Sequence, residues 1–578
     1  MTDTPRPVPV EIGPDGRTRA RVTMTPSSNT QRVSIEVPPD QAIPIVFVPG
    51  IMGSPLLATG ENAQVMGEDN RWAWFPDDAL GWVAGMTRWK SYSRLTPAER
   101  KRLLSPADTR ALSTPEDADR ETVAKHCSTL YVEEALQRGW GSVMLGSYGA
   151  ILNFLEAQLR YILTPQGQPY PGIQGAMPRE PADWGELKGY VPLDPERLRQ
   201  AAEFRYPVYA VGYNWLNSNA DAADYLAERI RAILERCQRD TFVKCQHGVI
   251  LVTHSMGGLV ARLCAKRYPQ LIQGVVHGVQ PATGAATAYR RVRAGWEDLA
   301  GAIGLGGTGR KIMPVFANAA GPLELLPSQR YGSGWLRVTC NGKELLQLPR
   351  SSPDGIDPYT QIYLEPDAWW RLMDPAWIDP VDTEAPSNVA APSLTAAWMA
   401  YRKQLNRAKS FHADLGDYYH PHSYVHYGAD EDYPSFRCVT WDLKGSFIAY
   451  QLPGQSGTRA TLAGSEHAAN LRLVDDNHEG RVRLVNDQSE QQWINQHGVG
   501  VVHDTRGDSY IAELQGQDQG GDGTVPAHSA EDAEKRAVFA ARMHGYEHQG
   551  SYADARVQRL TLYCVLSIGA QARELSPT

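Results

Sequence analysis

The run Thr253-His254-Ser255-Met256-Gly257-Gly258 closes an apolar stretch, Val249-Ile250-Leu251-Val252. A strand that stops at a small-residue turn and continues as a helix holds one side chain in an exposed, strained position. That suits a serine hydroxyl that must attack a carbonyl. Behind it, Leu259, Val260, Leu263 and Cys264 recur at helical spacing, and a side chain at Gly257 would crowd the turn. Short Ser-Gly patterns are common, so the serine needs partners elsewhere in the chain.

A tetrahedral oxyanion needs two backbone N–H groups aimed at it from tight turns beside the nucleophile. Met256, next after the serine, is one expected donor. The apolar run Ile45-Val46-Phe47-Val48 leads into Pro49-Gly50-Ile51-Met52-Gly53-Ser54. There Ile51 is the first choice for the second donor, with Met52 behind it. An ordinary buried strand and turn would carry the same residues.

A general-base histidine needs a carboxylate to fix its tautomer. Asp522, within Gly520-Gly521-Asp522-Gly523-Thr524-Val525-Pro526, suits that task. A plain surface turn is the alternative. A calcium loop through Asp518 and Asp522 is a third option, unsupported because the alternating acids and closing Glu are missing. The chemistry requires no cofactor. Residues 537–541 read as a last strand, and Val557, Leu560 and Cys564 mark an amphipathic C-terminal helix. His548, in the loop before that helix, is the expected base; His544 is the reserve and His528 the third choice. The order Ser, Asp, His follows that of the strand–turn–helix hydrolases.

These pieces resemble the lecithin:cholesterol acyltransferase-like branch of α/β-hydrolases. The likeness rests on Pro-Gly-Ile-Met-Gly-Ser at 49–54, His-Ser-Met-Gly-Gly at 254–258 and Gly-Asp-Gly-Thr-Val-Pro at 521–526. Smaller echoes are Tyr213-Asn214-Trp215, Leu325-Leu326-Pro327 and Tyr424-Val425-His426-Tyr427-Gly428. Together they cover well under half the chain, in the right order. The chain departs from the family in Thr253, where the usual elbow has its first glycine, in its large insertions, and in lacking a secretory leader. The resemblance implies an α/β fold: a mostly parallel sheet with helices on both faces and large cap or lid insertions. It also implies a serine ester hydrolase acting on lipids, with Ser255 as nucleophile, His548 as base, Asp522 as its orienting acid, and the Ile51 and Met256 amides as oxyanion hole.

The missing leader and the stretch Gly545-Tyr546-Glu547-His548-Gln549 also resemble antibacterial lipase effectors of type VI secretion systems. That likeness implies an A-type phospholipase made in the cytoplasm and carried by a secretion adaptor into the periplasm of a target cell. An immunity protein would neutralise it at home. The alternatives are a neutral-lipid or polyester esterase or acyltransferase of the same fold, and, in another class, a catalytically inactive hydrolase-fold binding protein.

At 578 residues, with 42% hydrophobic and 21% charged residues, the composition is that of a globular chain able to build one elaborated core. A net charge of −8 and a pI near 6.0 exclude nucleic acid as the expected partner. They also disfavour simple adsorption to anionic lipid, so contact with a membrane surface is expected to be local, apolar and transient. Seven cysteines without a Cys-x-x-Cys pair describe no disulfide scaffold and fit a reducing compartment. The N-terminal residues lack the basic and apolar regions of a Sec-type signal, and no apolar run approaches the roughly 18 residues of a membrane span.

The elements that must position these residues are strands expected at 44–48, 207–211, 248–253, 273–279 and 423–427, with a helix near 219–238 carrying Ala223, Leu226, Ile230, Ile233 and Leu234 on one stripe. This alternation calls for a parallel sheet. The expected organisation is a flexible arm at 1–43, a first core part at 44–283 with an insertion at about 60–140, and a cap or lid insertion at 284–410. Core strands at 411–442, a polar insertion at 443–515 and the last core part at 516–578 follow, the last holding the acid and the histidine. Leu299-Ala300-Gly301-Ala302-Ile303-Gly304-Leu305-Gly306-Gly307 suits a lid. Tryptophans 72, 74, 82 and 89, and 369, 370, 377 and 398, are expected mostly in satellite cores, with an acyl groove or membrane interface as the other use. His420, His422 and His426 suggest a metal cluster at first sight, but Pro421 excludes a helix there and a strand is expected. The acidic stretch from Asp354 to Asp379 reads as a solvated loop.

Overall fold

The computed structural model describes residues 39–60, 71–75, 77, 92–164, 166–178, 181–239, 243–296, 306–380, 395–446, 468–485, 490–495, 498–503, 509–573 and 575, with short pieces before residue 36. Most of the lid stretch, Leu299 to Leu305, and Trp82 and Trp89 lie outside the described residues.

Seven strands form the central sheet: β1 (Ile45–Val48), β2 (Glu186–Lys188), β3 (Val208–Ala210), β4 (Val249–His254), β5 (Ile272–Gly278), β6 (Ser423–Gly428) and β7 (Phe539–Met543). Their spatial order is β2-β7-β6-β5-β4-β1-β3. Every neighbouring pair is parallel except the edge strand β2, which runs antiparallel to β7.

Parallel strands covered on both faces read as continuous apolar runs, and β1 and β4 do so. Their alternating side chains serve two cores. Val46, Val48, Leu251 and Val275 pack with helices α2 (Asn219–Gln238) and α3 (Gly257–Arg267). Ile45, Phe47, Ile250, Val252 and Val276 pack with α1 (Leu145–Gln158) and with the C-terminal helix Ala555–Gly569. The α2 stripe is buried at Ala223, Leu226, Ile230 and Ile233 as its spacing predicts, and Ser218 caps the helix by accepting from Ala220 N.

A second sheet has six strands in the order 343–348, 336–340, 439–446, 509–514, 481–485, 472–476. It joins segments 284–410 and 443–515, which composition alone sets apart. Leu443, Val482, Leu484, Tyr510 and Ala512 are buried in the same core as α2 and α3, so the polar stretch is a one-faced sheet whose outer residues dominate its composition. Arg293, on helix α4 (Ala286–Ala294), ties it down through a buried 2.8 Å ion pair with Asp476. Trp369 and Trp398 are core residues here, and Trp72 and Trp74 lie on an edge strand of a three-stranded sheet. His426 lies on β6 as the strand expectation requires, and among the described residues no His, Cys, Asp and Glu side chains group as a metal site. Among the described residues no helix is long and apolar enough to cross a membrane.

Candidate active site

Ser255 follows β4 at the centre of the sheet with φ of 51°, the left-handed region that costs an L-residue roughly 1–2 kcal/mol. Its N–H donates to Gly278 O at 2.9 Å and its carbonyl accepts from Gly258 N at 2.9 Å, so the strained turn is held from both sides. Gly257 is required sterically. A Cβ there would stand 2.4 Å from Pro49 O and 2.5 Å from Val48 O. The end of β1 therefore rests directly on the start of α3, which puts the 49–53 loop beside the serine.

That loop contains a second left-handed residue, Met52, at φ 64°. It is pinned by Trp74 Nε1 donating to Met52 O at 2.7 Å, by Tyr213 OH donating to Pro49 O at 3.1 Å, and by Gly53 N donating to Gly50 O at 3.1 Å. Among the described residues the N–H groups of Ile51, Met52 and Met256 meet no acceptor. An oxyanion is held by N–H groups left open in this way beside the attacking atom.

Asp522 sits on the turn after strand Gln519–Gly521 and is 1% exposed. Its Oδ1 accepts from Thr524 N (3.0 Å) and Val525 N (2.7 Å), which leaves Oδ2 to accept from His548 Nδ1 at 2.8 Å. His548 N also donates to Asp522 O at 2.8 Å, so ring and backbone are anchored on one residue. With Nδ1–H committed to the carboxylate, Nε2 is the basic atom. His544 is exposed, and His528 Nε2 donates to Tyr331 O at 2.8 Å; neither is bonded to Asp522. Asp518 accepts from Arg437 N and Cys438 N.

Two further residues belong to the site and were not legible as such in the sequence. His254 is buried, and burial together with the neighbouring His548 pushes its pKa down to about 3. The neutral ring accepts from Tyr148 OH at Nδ1 (3.1 Å) and donates from Nε2 to His548 O (3.0 Å). Tyr148 OH in turn accepts from Gly50 N at 3.4 Å. The motif 254–258 includes His254, but its partners lie 106 and 294 residues away, beyond any local pattern.

Ser255, Asp522 and His548 line one cavity of about 480 Å³, with Ile51, Met52 and Trp74 on its wall. Ser255 Oγ makes no hydrogen bond with His548 in this conformation. Nucleophile–base bonds are commonly long until substrate binds.

The central sheet, the elbow after β4 and the acid and histidine loops on either side of β7 define an α/β-hydrolase fold with an inserted second sheet. Residues 201–289, which span β3 to β5 and include Ser255, match the model of the PGAP1-like alpha/beta domain. The chain is also similar to one in the crystal structure of the Tle4–Tli4 complex, at 28% identity and a TM-score of 0.69, over 92% of this chain and 99% of that one. These likenesses agree with the resemblance to α/β-hydrolase lipase effectors read from the sequence. No curated protein is significantly similar to the chain.

Proposed function

We propose that the protein is a serine lipase of the phospholipase A type, with Ser255, His548 and Asp522 as its triad. Ser255 Oγ attacks the acyl carbonyl while His548 Nε2 takes its proton. The N–H of Met256, with that of Ile51 or its neighbour Met52, holds the oxyanion. Collapse expels the lysolipid alcohol, to which His548 returns the proton, and water then cleaves the acyl-enzyme by the same route. The observation that carries this proposal is the 2.8 Å His548–Asp522 bond opening, with the left-handed Ser255, on one cavity. The apolar wall of Trp74, Phe316 and Leu325 suits an acyl chain.

The similarity to a chain of the Tle4–Tli4 complex supports a protein inhibitor for this chain and delivery by a type VI system. The test is product analysis on defined phospholipids carrying distinct acyl chains at sn-1 and sn-2. Wild type should release fatty acid, and Ser255→Ala should lower turnover by about 10³- to 10⁶-fold. Headgroup release, or undiminished turnover by a folded Ser255→Ala protein, contradicts the proposal. Turnover of neutral esters alone would favour the esterase alternative.

A further inference from the structure

Cys237, in the last turn of α2, and Cys245, on the segment that leads into β4, stand side by side with their thiols hydrogen-bonded to each other. Both are free thiols; Cys237 is partly exposed and Cys245 is buried. The hydroxyl of Tyr209, on β3, lies 3.4 Å from Cys237 Sγ. Cys245 is held in place from both sides. Gln238 Nε2 donates to Cys245 O at 3.5 Å, and its neighbour Lys244 donates from N to Asp40 O (2.7 Å) and accepts at O from Ala42 N (2.9 Å). The hydrogen bond from Cys245, then that of Tyr209 and the charges of Arg138 and Arg236, outweigh burial and hold the Cys237 thiol below its ordinary pKa. The other six cysteines are all pushed up. A partly exposed thiol in an electropositive setting is the one that reacts. Among the described residues no third His, Cys, Asp or Glu joins the two sulfurs as a metal site.

We infer that Cys237 and Cys245 form a thiol–disulfide exchange site, with Cys237 attacking and Cys245 resolving, whose co-reactant is a small disulfide of the glutathione disulfide class. The Cys237 thiolate attacks one sulfur of the donor; the donor S–S bond breaks and one thiolate leaves. Cys245 then gives up its proton and attacks Cys237 Sγ, displacing the second donor thiolate. Two protein thiols are oxidised and one donor disulfide is reduced to two thiols. The product staples the end of α2 to the segment entering β4, the strand that ends at the elbow, and restricts the unfolded chain. The inference stands apart from the proposed function, since it needs neither the triad nor a lipid.

The test exposes the native, reduced full chain to excess glutathione disulfide, quenches with acid, and reads intact mass and peptide maps. Wild type should lose two hydrogens and yield one bridged peptide joining Cys237 to Cys245, with a higher urea midpoint than the reduced protein. Cys245→Ser should stop at a stable glutathione adduct on Cys237, and Cys237→Ser should leave Cys245 unmodified. In wild type, iodoacetamide should alkylate Cys237 about tenfold faster than the partly exposed Cys127 and Cys340. Thiols that stay free, an adduct on Cys237 that Cys245 never resolves, or a first bridge between other cysteines overturns the site. Faster alkylation of Cys127 or Cys340, or an adduct on Cys245 in Cys237→Ser, overturns the assignment of the attacking thiol. An unchanged urea midpoint beside a complete bridge overturns the staple. The wild-type readouts decide even where a serine variant fails to fold.

Discussion

His254 Nε2 lies 3.0 Å from the carbonyl oxygen of His548, joining the residue before the elbow serine to the residue that carries the proposed base. Through Tyr148 the same ring reaches Gly50, beside the proposed oxyanion donors. Three loops far apart in sequence are thus tied by one neutral imidazole. Its tautomer follows from its partners, since Nδ1 accepts from the tyrosine and Nε2 donates to the carbonyl.

Replacing His254 by Phe strands both partners. The expected outcome is a stability loss of about 1–3 kcal/mol and a fall in kcat of up to about 100-fold from misplacement of the base. KM should change little, and His254→Gln should recover part of kcat. Steady-state kinetics beside urea unfolding checks this; an unchanged kcat in His254→Phe would remove the positioning role.

The elbow stores strain that a glycine would release. Ser255→Gly should unfold at higher urea, by about 1 kcal/mol, while losing activity. Gly257→Ala should move the other way by about 1–3 kcal/mol, because its methyl meets two backbone carbonyls that have no room to yield. Equal stability of all three proteins would contradict the strained-turn geometry.

Asp522→Asn should lower kcat by about 10⁴-fold with little change in KM, because an amide in place of Oδ2 cannot hold the Nδ1–H tautomer. A loss below about tenfold in pre-steady-state acylation would show that another group orients His548.

Acid should destabilise the fold. Burial pushes the pKa of His254 to about 3 and those of His412, His420 and His426 to about 4, from 6.5. Each binds its proton in the unfolded chain first, so stability is full above 6.5 and is lost as pH falls toward 3–4. Glu324, pushed by burial from 4.5 up to about 8, acts oppositely: its contribution is full below 4.5 and lost as pH rises through about 8. Four histidines outweigh one glutamate below 6.5, so the urea midpoint should drop between about pH 7 and about pH 5. An equal or higher midpoint at the lower pH contradicts this, and Glu324→Gln should gain on wild type only as pH rises.

Much of the central sheet was legible because its determinants are local. The apolar runs of β1 and β4, the stripe on α2 and the Ser-Met-Gly-Gly turn each fix a conformation within a few residues. The pairing of Asp522 with His548 was legible from residue type and chain order. His254 and Tyr148 were not, because their role depends on contacts across more than a hundred residues. The second sheet was hidden for a related reason. Its strands come from both sides of β6, and their outward polar residues mask the alternating Val482, Leu484, Tyr510 and Ala512.

The central claim is that Ser255 is the nucleophile, and a fluorophosphonate probe tests it most directly. Intact wild-type protein should gain one probe mass, located by peptide mapping to Ser255, in step with loss of ester hydrolysis, and Ser255→Ala should gain none. Undiminished labelling of a folded Ser255→Ala protein, or full activity in wild type that the probe never marks, would contradict it.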